Sequence, residues 1–240
     1  MQPVYLEKKG NTKIVSHRGL SGVELENTLA AFVAAGNRCC FGIETDVHVT
    51  ADGKYVILHD DSTGRVGERD LPAENSTFAQ LREVRLHEQD TDGYSDMQRL
   101  LSLQEYLRVV RRYEKTAVIE LKNHMAEKYI AEIVQICKTE YDLEKIIFIS
   151  FCFENLVQIR KMLPQQKIQF LTGKYTPDLI SRLTEYGMGL DIWCGALTQE
   201  RVNDLHAAGI VINCYTCDDP ADAQKLISWD VDMITSNILL

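Results

Sequence analysis

His17, Arg18, Glu44, Asp46, His59, Glu120 and Lys122 are the residues whose types and spacing could do chemistry together in this chain. They fall in the short clusters His17-Arg18-Gly19, Glu44-Thr45-Asp46, His59-Asp60 and Glu120-Leu121-Lys122, with Glu26-Asn27-Thr28 between the first two. The clusters sit on runs that otherwise read as buried strands, and charge on apolar strands is costly unless it is paired or bound. Glu44 and Asp46 share one strand face by alternation, and Glu120 is expected at equivalent height on a neighbouring strand. Three carboxylates meeting there repel one another unless a cation joins them. An all-oxygen set with no cysteine favours Mg²⁺ or Ca²⁺ over zinc. Salt bridging to Arg18 and Lys122 is the competing reading, but two cations against three carboxylates leave a deficit. His17 and His59 form a natural acid–base pair, because imidazole titrates near neutrality. Arg18 as a fork and Lys122 as a point charge suit the oxygens of a phosphate. Metal, two histidines and two cations together describe phosphate ester cleavage.

These residues need a scaffold that brings strand ends together. Lys13–Ser16 reads as a first strand, and Asn27 as the cap of a helix running from Thr28 to about Gly36. Phe41 to Val49 reads as a second strand. Only Thr50-Ala51-Asp52-Gly53 separates it from Tyr55-Val56-Ile57-Leu58-His59, too short a link for a parallel crossover. The next run therefore folds back as an antiparallel hairpin. A two-residue loop, Ala51-Asp52, would pair Thr50 with Gly53 and set His59 opposite Glu44; a bulge would shift this register by one. Residues 61–102 are polar and turn-rich, with a helical stretch around Thr77 to Leu86, and read as a loop insertion near the site. From Leu103 onward helices and strands alternate regularly. Leaving the hairpin return aside, strands begin at Ile14, Phe41, Ala117, Ile146, Ile168, Leu190, Ile210 and Asp232. Eight strands alternating with helices predict an α/β fold, a (β/α)8 TIM barrel, over 1–240 as a single domain. A doubly wound sheet would usually carry a G-x-G-x-x-G turn after the first strand, which Gly19-Leu20-Ser21-Gly22 lacks.

In such barrels the active site forms at the C-terminal ends of the strands. The clusters fall on adjacent strands there. Trp193, at the end of the sixth parallel strand, would either line a substrate pocket or fill the barrel mouth. His48 lies further out on the hairpin and reads as solvated or peripheral. His87, His124 and His206 read as surface.

Composition narrows the function. A formal charge of −9 argues against nucleic acid and against anionic membranes as partners. Of the seven cysteines, Cys39-Cys40 are adjacent and Cys214-x-x-Cys217 is the only pair at ligand spacing, so they read as reduced thiols of a cytoplasmic protein rather than a zinc site. No apolar run approaches a membrane span. Whether the chain is a homo-oligomer is left open.

His17-Arg18-Gly19, Glu26-Asn27-Thr28, Glu44-x-Asp46-Val47, Thr50-x-Asp52-Gly53, His59-Asp60 and Ile119-Glu120-Leu121-Lys122 occur in an order that closely resembles the glycerophosphodiester phosphodiesterases. Weaker echoes follow at Ser102-Leu103-Gln104-Glu105, Ser150-Phe151 and Val231 to Ser236. The resemblance implies a TIM-barrel hydrolase that splits glycerophosphodiesters into sn-glycerol 3-phosphate and an alcohol. It implies Glu44, Asp46 and Glu120 as ligands of a divalent metal, His17 and His59 as general base and acid, and Arg18 and Lys122 as phosphate contacts. The glycerol 2-hydroxyl would attack first, giving a cyclic phosphate that water opens. A phospholipase-type barrel acting on intact lipid is the alternative, and would want exposed apolar loops. The chain departs from the family at Tyr215-Thr216, where Trp-Thr is common, at Trp229-Asp230, where Gly often precedes the last strand, and at Ser236-Asn237, which replaces a frequent Asp-x-Pro.

Overall fold

The computed structural model describes residues 2–89 and 93–240, so three residues of the 61–102 segment lie outside the described part. Short apolar runs buried on both faces form the strands β1 (Lys13–Ser16), β2 (Gly42–Val49), β3 (Tyr55–Ile57), β4 (Thr116–Leu121) and β5 (Ile146–Ser150). β6 (Lys167–Thr172), β7 (Gly189–Trp193), β8 (Ile212–Tyr215) and β9 (Met233–Ser236) complete the set. All but β3 run parallel, and β1 pairs with both β2 and β9, so the sheet closes on itself. This is the eight-stranded parallel barrel, each strand beginning within two residues of its predicted start.

Helices α1 (Leu29–Gly36), α2 (Phe78–Arg82), α3 (Leu103–Arg112), α4 (Glu127–Glu140) and α5 (Phe153–Met162) cover one part of the barrel. α6 (Leu179–Tyr186), α7 (Gln199–Ala207) and α8 (Pro220–Ser228) cover the rest. Their apolar faces and the outward strand residues make the main core, which includes Phe32, Ile43, Leu107, Ile119, Phe148 and Ile234. A smaller cluster of Val15, Val118, Ile147, Ile149, Leu171 and Met233 fills the barrel interior. No helix among the described residues is long and apolar enough to cross a membrane.

Two local expectations are corrected. Asn27 does not cap α1: Thr28 does, accepting the Ala31 N–H at 3.2 Å, while Asn27 sits at φ 57° with its amide turned toward β2. Asn and Thr are both good caps, and the neighbour won because the Asn27 side chain is engaged elsewhere. The hairpin register is also shifted by one. Val47 pairs with Ile57 and Val49 with Tyr55, so Thr50 pairs with Lys54 and the loop has three residues, Ala51-Asp52-Gly53. Gly53 takes φ 68°, the left-handed position that closes such a loop, and the Thr50 hydroxyl accepts the Lys54 N–H at 2.9 Å. Continuing that register, His59 is level with Thr45 and not with Glu44.

β2 rises beyond the rim, and β3 takes the edge that β1 leaves free after Ser16 pairs with Ile43. The 61–102 segment packs on the face of this hairpin that carries Asp46 and His48, where its Val66, Ala73, Leu81, Leu86 and Leu100 cluster with Val56 and Leu58 of the returning strand. It is a small lobe beside the barrel mouth.

Candidate active site

The mouth is built from the residues that follow the strands. The His17 N–H donates to the Ser236 carbonyl at 2.9 Å, carrying the β1–β9 ladder one residue past the strand. Arg18 then turns into the left-handed region, φ 52°, uncommon for a residue with a side chain. Its backbone N–H donates to Glu44 Oε2 at 2.8 Å, which gives this strained turn a partner.

Glu44, Asp46 and Glu120 are all buried, and each offers an oxygen within 4.8 Å of the others. Asp46 and Glu120 are register partners on β2 and β4, as alternation required. Burial, then the neighbouring charge of Asp46, pushes Glu44 well above the usual carboxylate range and Glu120 up to about 7. Asp46 feels the same burial, but Arg18, Lys122 and His59 together hold it below its ordinary value. Lys122 Nζ is 3.0 Å from Glu120 Oε1 and 3.8 Å from Asp46 Oδ1, and Arg18 Nε is 3.6 Å from Asp46 Oδ2. Asp46 Oδ2 accepts the Asn27 amide at 2.8 Å, whereas Asp46 Oδ1 is buried without a hydrogen-bond partner. An orphaned carboxylate oxygen inside a crowded acidic cluster fits a hard divalent cation.

The two histidines flank this cluster. His17 Nε2 stands 4.0 Å from Glu44 Oε2, and its Nδ1 lies 2.7 Å from Asn237 Oδ1. The Asn237 amide donates to Asp218 Oδ2 at 2.6 Å, which fixes its oxygen toward His17. A carbonyl oxygen only accepts, so Nδ1 carries the proton and Nε2 keeps its lone pair. Burial, then the charge of Arg18, lowers the affinity of His17 for a second proton. His59 Nδ1 lies 2.6 Å from Asp60 Oδ1; burial again lowers its pKa, partly offset by Asp46.

The model of the glycerophosphoryl diester phosphodiesterase family matches residues 17–238. The chain belongs to that family. It is similar to a glycerophosphodiester phosphodiesterase of Bacillus subtilis, 26% identical, with 98% of this chain and 88% of that one covered. Among solved structures it is similar to an Oleispira antarctica phosphodiesterase in complex with the product sn-glycerol-3-phosphate, with TM-score 0.86, 27% identity and coverage of 94% and 93%. A Thermotoga maritima glycerophosphodiester phosphodiesterase aligns with TM-score 0.76 at 25% identity, covering 94% of each chain. Membership places this chain among the phosphodiester hydrolases.

Several residues around this site play parts that the sequence did not foretell. Asn237 holds His17, and Asn27 braces Asp46 while its own Oδ1 accepts the Thr45 hydroxyl at 2.8 Å. His48 is corrected outright: it is fully buried, with Nδ1 3.2 Å from Glu74 Oε1 and Nε2 3.5 Å from the His59 carbonyl. The lobe covers it, which strand alternation alone could not reveal. Trp193 is half exposed, so it does not plug the mouth; its ring lies against Gly195, where a Cβ would meet it at 2.4 Å. Phe151 and Tyr215 stand on the same rim, edge to face at 6.1 Å. All seven cysteines are free.

Proposed function

We propose that this chain hydrolyses glycerophosphodiesters to sn-glycerol 3-phosphate and an alcohol, with Glu44, Asp46 and Glu120 holding a divalent metal ion, Mg²⁺ or Ca²⁺. The observation that carries the proposal is the buried three-carboxylate cluster with His17 Nε2 4.0 Å from Glu44 Oε2. Bound there, the ion would polarise a phosphoryl oxygen and acidify a hydroxyl.

The chain's own residues do the rest. Arg18 and Lys122 present a fork and a point charge to the phosphate oxygens. His17, neutral and with its lone pair on Nε2, takes the proton of the glycerol 2-hydroxyl as that oxygen attacks phosphorus. His59 gives a proton from Nε2 to the departing alcohol oxygen, with Asp60 steadying the ring. In the second half the roles reverse, and water opens the cyclic phosphate. The half-exposed Trp193 lines the substrate pocket at the mouth. The proposal treats 1–240 as one catalytic domain, and its free thiols suit a reducing, cytoplasmic setting.

The test is release of sn-glycerol 3-phosphate from glycerophosphocholine, measured before and after EDTA treatment and after adding back Mg²⁺, Ca²⁺ or Mn²⁺. Activity abolished by the chelator and restored by one ion supports the reading. A rate indifferent to chelation removes the metal, and no product from a panel of head groups removes the substrate class.

A further inference from the structure

Arg65 lies in the lobe, yet its guanidinium reaches back to both sides of the site. Nε donates to Asp60 Oδ2 at 2.7 Å and Nη2 to Asp60 Oδ1 at 3.0 Å. Nη1 donates to Glu26 Oε2 and Nη2 to Glu26 Oε1, each at 2.8 Å. Each carboxylate has a second partner: Asp60 Oδ1 takes the His59 ring at 2.6 Å, and Glu26 Oε1 takes Arg18 Nη1 at 2.9 Å. The result is an unbroken sequence of contacts, His59–Asp60–Arg65–Glu26–Arg18. It ties the segment after β3 to the segment before α1, two stretches that enter the mouth from different strands.

We infer that Arg65 is the positioning residue that holds the proton-transferring His59 and the phosphate-binding Arg18 in one frame. The inference rests on the roles proposed for those two residues. Arg65 acts only through carboxylates. Its effect is geometric, because two paired contacts need a planar fork that a lysine ammonium cannot supply. It is also electrostatic, because one cation sits between two carboxylates that would otherwise repel. The Arg65 hydrogen bonds are the largest cause holding Asp60 far below the usual range. Burial pushes Glu26 up, but Arg65 and Arg18 outweigh it and leave it ionised.

Loss of Arg65 would free Asp60 to rotate and leave its charge uncompensated beside the ring. The other charged groups acting on His59 are Asp46 on β2, Arg18 after β1 and Lys122 after β4, with His48 against its carbonyl. With those unchanged, the bare Asp60 carboxylate favours the imidazolium, so His59 would titrate at higher pH.

The experiment compares the full chain with Arg65→Ala, Arg65→Lys, Asp60→Asn and the Arg65→Ala/Asp60→Asn double variant. Hydrolysis of glycerophosphocholine gives kcat and KM, and NMR of the His59 ring follows its titration. Arg65→Ala is expected to lower kcat/KM about 100-fold, the scale of a misplaced catalytic group. The double variant should be less impaired than the two single losses multiplied, since the His59 arm of Arg65 runs through Asp60 while its Arg18 arm runs through Glu26. Arg65→Lys should restore the His59 titration while leaving the rate low. Kinetics within twofold of wild type in Arg65→Ala, full additivity with Asp60→Asn, or an unchanged His59 titration would each overturn the inference. If circular dichroism shows Arg65→Ala unfolded, Arg65→Lys decides, because a wild-type rate in it removes the need for a fork. A wild-type chain that releases no product would defeat the proposed function instead, and the NMR comparison would still decide on Arg65.

Discussion

His17 Nδ1 and Asn237 Oδ1 meet at 2.7 Å, a contact between the residue that follows the first barrel strand and one that follows the last. Asn237 is itself held by Asp218, through its amide at 2.6 Å and its backbone N–H at 2.8 Å. A tautomer at the start of the chain therefore depends on residues more than 200 positions later. Asn237→Ala should lower kcat about 10–100-fold with little change in KM, the usual cost of removing the partner that orients a histidine. Steady-state kinetics on a glycerophosphodiester check it, and an unchanged kcat would show that the ring needs no such partner.

His17→Ala and His59→Ala should each reduce kcat by about 10²–10⁴-fold, the range for loss of a general acid or base. The fold should survive, because neither ring belongs to an apolar cluster of the core. Far-UV circular dichroism and thermal melting would establish that, and a fully active variant would withdraw that histidine from the mechanism.

The carboxylates make a prediction about pH. Glu120 is raised to about 7 by burial and by Asp46, and Glu44 is raised as well. Without metal, these two carboxyls keep protons in the folded chain that they have released in the unfolded chain between the ordinary carboxylate range and about pH 7. Their contribution to the stability of the metal-free protein should fall as pH rises through that window. Metal competes for the same oxygens, so its affinity should rise with pH. The gain in Tm on adding Mg²⁺ or Ca²⁺ should accordingly be larger at about pH 8 than at about pH 5. Differential scanning fluorimetry reads it, and a gain independent of pH would place the ion elsewhere.

Gly19 offers a test of the turn that carries Arg18. Its φ is 80°, and a Cβ there would lie 2.7 Å from the Ala31 backbone carbon. Gly19→Ala combines left-handed strain with overpacking against α1, so it should cost about 2–4 kcal/mol. Activity should fall with it, because Arg18 and His17 are the preceding residues. A variant with native Tm would mean that α1 moves aside.

The barrel was legible because its strands are short apolar runs punctuated by helices, a pattern that tolerates errors of a residue or two in each boundary. The three-carboxylate cluster was legible because strand alternation and neighbouring registers placed Glu44, Asp46 and Glu120 together. What failed depended on single residues choosing between partners. Ala51-Asp52 read as a two-residue loop, but the Thr50 hydroxyl and the left-handed Gly53 close a three-residue one. Asn27 looked like a cap until Asp46 and Thr45 were seen to claim its amide. His48 looked peripheral because nothing in its strand revealed that Glu74 and the lobe would cover it. Arg65 sits in an irregular segment where spacing carries no direction, so its four contacts emerge only in three dimensions.

The lobe's separate apolar cluster divides responsibility within the site. The carboxylates ride on the barrel strands, whereas His59 hangs beyond the hairpin and is steadied by Arg65, and its carbonyl by His48 beneath the lobe. A small cluster opens at lower free energy than a closed barrel. On warming, catalysis should therefore fade while the carboxylates still sit together and the helices are still folded. Heat would turn the enzyme into an idle barrel before it unfolded it.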